Sequence, residues 1–364
     1  MSFKMPEYHT PNFESDALRF APDAETAPVT CDGVAPENYH SMGIDPEYFK
    51  VNGQWYLAEE SRMDSVPVWR GKHIHVVEFR NLKVGDLVFV GRTEDGSEGI
   101  YVNANGFGAG DAAQQGFSFR RSRNRETGFS RDYAELAELL RYEKEHSGYV
   151  VWVLGPAFSF DALARENFCK LIENGYVHAV MAGNALATHD LEGAYLRTAL
   201  GVDIHTQQGV HNGHYNHLDT INRARACGSI EAFVREEKLM NGIICTCLKR
   251  DVPFVLVGSV RDDGPLPGVY GDVYDGQDAM RKHISRATTV IGMATVLHTI
   301  ATGNMTPSYR VTADGSVRPV YFYSVDISEF ATNKLNDRGS LTAKGIVANV
   351  QDFVGKLVSE LEIL

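Results

Sequence analysis

No apolar stretch in this 364-residue sequence approaches the roughly 20 residues needed to span a bilayer, which excludes an ordinary transmembrane helix. The opening segment, MSFKMPEYHTPNFESDALRF, has no apolar core of the kind a secretory signal carries. Cysteine is scarce. The five, at 31, 169, 227, 245 and 247, have no framework spacing, and Cys245 and Cys247 form C-x-C rather than C-x-x-C. A disulfide scaffold is therefore not expected, and a reducing cytoplasm is. Positive charge is short as well: 35 Lys and Arg face 47 Asp and Glu, a net charge of −12. That balance argues against a general binder of nucleic acid or anionic membrane, although a local basic pocket for a small anion is compatible with it. There is no solenoid-period repeat and no low-complexity tract.

What is present is an ordinary soluble composition, 43% hydrophobic and 23% charged. Residues 1–44, rich in Pro, Glu, Asp and His without periodicity, read as an N-terminal arm. Residues 45–128 read as a small all-β, barrel-like domain. Its short runs GQWYLAEE, HIHVVEF, DLVFVGR and GIYVNAN are separated by Gly and Asp, and it ends in a flexible loop, GFGAGDAAQQG, read as a linker in preference to an active-site flap. From 129 to 364 the pattern changes. SRDYAELAELLRYEKEH has helical periodicity, with Ser130 as its N-cap. The apolar runs VVWVL, YVHAVMAG, VPFVLVGSV, TTVIGMAT and RPVYFYSVD then alternate with amphipathic segments such as QDAMRKHISRA. Alternation of this kind indicates a largely parallel, Rossmann-like α/β sheet covered on both faces.

Ligands of such sheets bind outside the carboxyl ends of the strands. Each strand here ends in something small or polar: Gly155-Pro156-Ala157, Gly183-Asn184-Ala185, Ser259, and Asp326. Small residues let a backbone approach a pyrophosphate, and helix N-termini offer it free N–H groups. Asp326 suits a ribose hydroxyl, or equally an N-cap for ISEFATNKL. No G-x-G-x-x-G follows the first strand, so a dinucleotide site is expected without the common fingerprint. HTQQGVHNGHYNH places His205, His211, His214 and His217 in one segment. Imidazoles exchange protons near neutral pH and also bind zinc. Gly209 and Gly213 make the segment a loop with no Cys pair nearby, so no metal is expected. Proton transfer and a structural loop role both stay open. In RDDGPLPG, Arg261 suits a carboxylate and Asp262 or Asp263 an ammonium, unless the loop is a stiff surface turn with a local ion pair. Cys245 and Cys247 read as core thiols.

GYVHAVMAGNALATHDLEGA, NGHYNHLDTINRAR, DVPFVLVGSVRDDGPLPG, LHTIATGNM and VDISEFATNKLNDRGS resemble the LOR/SDH-region proteins, as do the earlier MDSVPVW and LKVGDLVFVG. That family includes archaeal NAD-dependent ornithine cyclodeaminases and the C-terminal half of cyanobacterial arginine dihydrolase–ornithine cyclodeaminases. The resemblance implies a β domain followed by a Rossmann-like NAD domain, and conversion of L-ornithine to L-proline and ammonia. On that reading the cofactor is NAD, held by Gly155, Pro156, Ala157, Gly183, Asn184, Ala185, Asp190, Asn304 and Asp326. His214 or His217 transfers protons, while Arg261, Asp262 and Asp263 hold the amino acid. The chain departs from the family pattern at GVYGD after the Pro-Leu-Pro, at Ser328-Glu329, and at FSFDAL after the first strand. A related lyase or dehydrogenase on another amino acid, or a non-catalytic NAD-sensing module, are the alternatives. The partners expected are a small-molecule amino acid and further copies of the chain as a homo-oligomer, with no nucleic acid and no membrane.

Overall fold

A computed structural model describes residues 3–108, 130–260, 265–312, 314–328, 330, 333–334 and 341–363. The N-terminal part is two small antiparallel sheets. Thr26–Pro28, Leu87–Phe89, Val66–Arg70 and His73–Val77 form one, in that spatial order; Gln54–Leu57, Glu47–Val51 and Ile100–Val102 form the other. Phe49, Ile74, Phe89 and Ile100 fill the space between them. Within the N-terminal segment read as an arm, Thr26–Pro28 lies against this part as an edge strand on Leu87–Phe89. Further upstream, Tyr8 and Tyr48 share a hydroxyl hydrogen bond of 2.9 Å, and Phe3 packs on Tyr142 and Tyr321. A three-residue strand containing proline has too little alternation to be legible in sequence.

The second part is one six-stranded sheet. Its strands in chain order are β1 (Val150–Leu154), β2 (Ala179–Gly183), β3 (Phe254–Val257), β4 (Thr289–Met293), β5 (Tyr321–Asp326) and β6 (Ala343–Val347). Their spatial order is β3-β2-β1-β4-β5-β6, and every pairing is parallel. This is the Rossmann order, which reverses between β1 and β4. The pleat sends alternate side chains to opposite faces. Val150, Trp152 and Leu154 therefore join a core with the helices α1 (Ser130–Glu145), α2 (Ala162–Glu173) and α8 (Val350–Glu360). Val151 and Val153 join a second core with Met280 and Ile284 of α6 (Val273–Ile284) and Met305 of α7 (Val296–Met305). On the first face also lie α3 (Asn184–Leu196), α4 (Asn216–Cys227) and α5 (Ile243–Lys249).

After α7 the chain returns to the β part as a ribbon of Tyr309–Val311 and Val317–Pro319. There the fully buried Tyr309 donates its hydroxyl to Ala58 O at 2.8 Å, while the N–H groups of Ser308 and Val311 donate to Ser61 O and Glu59 O at 2.9 and 3.1 Å. Among the described residues no helix is long and apolar enough to cross a membrane. The linker loop GFGAGDAAQQG lies, beyond residue 108, outside the described residues.

Candidate active site

The site grows from the junction of β1 and β4. Gly155 follows β1, and its N–H donates to Met293 O at 2.8 Å. A Cβ on Gly155 would lie 1.8 Å from Ala294 O, so only glycine permits this close crossing of the two strand exits. Pro156 then opens a short 3-10 turn to Phe160, pinned where Ser159 Oγ donates to Leu186 O at 3.1 Å. Gly155 is buried, and Pro156 and Ala157 are half-buried at the edge.

β2 ends at Gly183, which serves as the N-cap position of α3 and caps no N–H with a side chain. The first N–H groups of α3 thus point outward from the strand end beside Asn184 and the half-buried Ala185. A Cβ on Gly183 would lie 2.9 Å from Cε1 of His298, so that imidazole sits over the end of β2. Asn184 Oδ1 accepts from Leu266 N at 2.9 Å and from Thr188 Oγ1 at 3.3 Å, tying α3 to the chain that returns after β3. At the end of β5, Asp326 Oδ1 accepts from Ser328 N at 3.1 Å; the carboxylate is half-buried and closes a local turn. Gly155, Gly183 and Asp326 are therefore brought to one edge of the sheet, around its switch point.

Asp190 is not at that edge. It is fully buried, with Oδ1 taking Arg165 Nε at 2.8 Å and Ile243 N at 3.0 Å, and Oδ2 taking Ile244 N at 2.8 Å. It is an interior anion that holds α2 and the start of α5 against α3, and its oxygens are spent on those donors. Asn304 is exposed in the last turn of α7, on the order of 12 Å along the axis from the helix start at 1.5 Å per residue.

Of the histidine segment, His205, His211 and His214 are exposed, with His214 against Tyr215 at 4.3 Å between ring centroids. His217 lies in the first turn of α4, its Nδ1 buried without a hydrogen-bond partner. Its ring is 6.1 Å from His189. His189 in turn is buried on α3 and bonded through Nδ1 to Glu192 Oε2 at 2.9 Å. Among the described residues no group of three or more His, Cys, Asp or Glu converges as a metal site would require. Arg261, Asp262 and Asp263 lie outside the described residues.

His298, His189 and Glu192 are the residues the sequence reading gave no role. The signal for the pair was an i, i+3 spacing on a helix, which puts two side chains on one face. His298 had only its place three residues after Thr295, whose side chain caps α7. Cys245 and Cys247 are fully buried in α5. Burial pushes the Cys245 thiol up to about 12 and raises the Cys247 thiol well above its ordinary value, so neither is a thiolate nucleophile in this setting.

Residues 134–357 match the family model described as arginine dihydrolase ArgZ-like, C-terminal, Rossmann fold. The ornithine cyclodeaminase of Methanocaldococcus jannaschii is 37% identical over 353 residues, covering 94% of this chain and 78% of that protein. Among solved structures, a conserved LOR/SDH protein of Methanococcus maripaludis S2 superposes with a TM-score of 0.83 at 34% identity, covering 94% of this chain and 98% of that one. A ternary complex of AgrE with ornithine and NAD+ superposes with a TM-score of 0.57 at 32% identity, covering 94% of this chain and 46% of that one.

Proposed function

The chain belongs to the ArgZ-like C-terminal, Rossmann-fold family, and from that premise we propose that it is an NAD-dependent ornithine cyclodeaminase, a lyase that converts L-ornithine to L-proline and ammonia. The observation that carries this reading is the switch-point edge. Gly155 allows a close backbone approach there, the start of α3 offers uncapped N–H groups, and Asp326 supplies a carboxylate at the far side. Those features suit, in turn, the pyrophosphate and a ribose of a dinucleotide. A ligand complex of a relative holds ornithine and NAD+ together.

When bound, NAD+ supplies a hydride acceptor for the amino acid's α-carbon and a hydride donor for closing the ring, so no external oxidant is consumed. The chain's share is orientation, proton transfer and charge stabilisation. In our reading Gly155, Pro156, Ala157, Gly183, Asn184 and Ala185 hold the cofactor's phosphates, and Asp326 a ribose hydroxyl. Arg261 grips the substrate carboxylate through two parallel hydrogen bonds, and Asp262 or Asp263 the δ-ammonium. His217, with its unused ring nitrogen, is the better placed of the two loop histidines for proton transfer, and the exposed His214 the poorer.

The purified protein is denatured and its supernatant examined by mass spectrometry for NAD. The protein is then incubated with NAD+ and a panel of amino acids. Proline and ammonia in equal amounts from ornithine, without net NADH, are expected. Turnover of a different amino acid would reassign the substrate, and no NAD binding at millimolar concentration would end the mechanism.

A further inference from the structure

Behind the turn that follows β1 lies a network the reaction above does not use. Glu192 is fully buried, and its carboxylate accepts from four donors: His189 Nδ1 at 2.9 Å, Thr198 Oγ1 at 2.7 Å, Leu200 N at 3.1 Å and Gly201 N at 3.2 Å. An ionised carboxylate can only accept, so Nδ1 of His189 is the donor and carries the hydrogen. Burial alone would raise the Glu192 pKa, but the hydrogen bonds from His189, Thr198 and Gly201 outweigh it and hold the group below the ordinary glutamate value. Asn216 Nδ2 donates to Thr198 Oγ1 at 2.8 Å, which fixes α4 against the same network.

The consequence falls on the other side of the imidazole. With Nδ1 occupied, Nε2 keeps its lone pair, and among the described residues no hydrogen bond reaches it. The ring lies between Phe160, the last residue of the turn after β1, at 5.8 Å, and His217 at 6.1 Å. His217 contributes a second unpartnered nitrogen. Two imidazoles, each with a ring nitrogen that no hydrogen bond among the described residues reaches, thus lie beside each other with their planes tilted by 59°. Glu192 would hold the Thr198–Gly201 hairpin without His189, so packing alone gives no reason for an imidazole there. The buried Nδ1 of His217 leaves a hydrogen bond unmade, which costs stability, and catalysis is a use that offsets such a cost.

We propose that His189 is a catalytic base of this protein and that Glu192 is the residue that positions it. Nε2 takes one proton from the substrate's reacting ammonium, leaving a neutral amine and an imidazolium, and gives that proton to the departing ammonia, which leaves as ammonium. The proposal rests on the cyclodeaminase reading above. The ionisable groups beside His189 are Glu192 on its own helix and His217 on α4, while the neighbouring Arg165–Asp190 pair neutralises itself.

Steady-state kinetics with ornithine test it first. His189→Gln is expected to lower kcat by roughly 10²-fold or more, with KM, NAD+ affinity and Tm nearly unchanged. Wild-type kcat in the folded variant, against an active wild type, overturns the proposal and leaves the functional reading standing. Glu192→Gln should move the acid limb of the pH–rate profile to lower pH, because the imidazolium loses its carboxylate. An equal loss of rate at every pH, with no shift, would reduce Glu192 to a structural role. If the wild type leaves ornithine untouched, the functional reading fails by itself. The ring geometry is then decided by nitrogen NMR of histidine-labelled wild type, with His189 assigned from the signal lost in His189→Gln. A neutral ring protonated at Nδ1 is expected, and one protonated at Nε2 overturns the proposal whatever the activity.

Discussion

Arg165 and Asp190 meet at 2.8 Å inside the protein, and the same carboxylate receives the first two N–H groups of α5. This ties three helices to one side chain. Asp190→Asn breaks a buried pair and should cost about 3–5 kcal/mol, read as a lower urea midpoint. NAD+ affinity of the molecules that remain folded should be unchanged. A weakened cofactor affinity with an unmoved midpoint would return Asp190 to the strand-end rim.

Gly155→Ala should be poorly tolerated, because the new methyl would have to displace the backbone of Ala294. Overpacking of this kind costs about 1–3 kcal/mol, and here it also pushes the strand exits apart. Tm and NAD+ affinity should fall together, the second measured by calorimetry at a temperature where the variant is folded. Unchanged affinity would separate the cofactor from this junction.

Arg261→Lys should raise KM for the amino acid and leave NAD+ affinity nearly intact, since Lys cannot reproduce two parallel hydrogen bonds to a carboxylate. Asp262→Asn or Asp263→Asn should act most on diamino substrates and little on monoamino ones. A lost charge-assisted hydrogen bond is worth about 1.5–3 kcal/mol, or roughly 10- to 150-fold in kcat/KM. If NAD+ binding weakens instead, these aspartates face the cofactor.

The pH dependence of stability should carry a signature from the β part. His40 Nε2 meets Glu47 Oε2 at 2.7 Å, both groups buried. Burial alone would lower the imidazole's pKa, but the hydrogen bond and charge of Glu47 outweigh it and lift it above the usual 6.5. The bound proton therefore stabilises the fold fully below 6.5, and that contribution is lost as pH rises through the higher folded value. Denaturant midpoints of the wild type should fall from mildly acidic to mildly alkaline pH. His40→Gln should lack that part of the fall, and parallel curves for the two proteins would contradict the assignment.

The parallel sheet was legible because its strands are apolar throughout and bounded by glycine or polar ends. Strand β6 was not: Ala343–Val347 contains Lys344 and Gly345, lies at the sheet edge and is mostly half-buried, so it lacks the apolar run of its neighbours. Glu47–Val51 was missed for a different reason. Its Glu47 and Lys50 are buried charges, one bonded to His40, the other donating to the carbonyls of Leu18, Arg19 and Ala21 at 3.3, 2.8 and 2.7 Å. Tertiary partners satisfy them, and no local pattern announces those partners. In the site, adjacency misled. His189 and Asp190 are neighbours in sequence, but a helix turns by about 100° per residue, so one meets Glu192 and the other Arg165. The glycine-ended strands, by contrast, were readable from residue type alone.

The ribbon that carries Tyr309 back to Ala58 bears on how this chain can be divided. Order along the gene and order in space differ: the β part is completed by residues encoded after most of the Rossmann sheet. During synthesis the early strands emerge without that ribbon and stay uncovered there until residues beyond 308 leave the ribosome. A fragment cut at the linker would expose the ring of Tyr309 on one half and strip the carbonyls of Ala58, Glu59 and Ser61 of their donors on the other. The two halves should therefore be recovered soluble only when produced together, as complementing pieces rather than as independent modules.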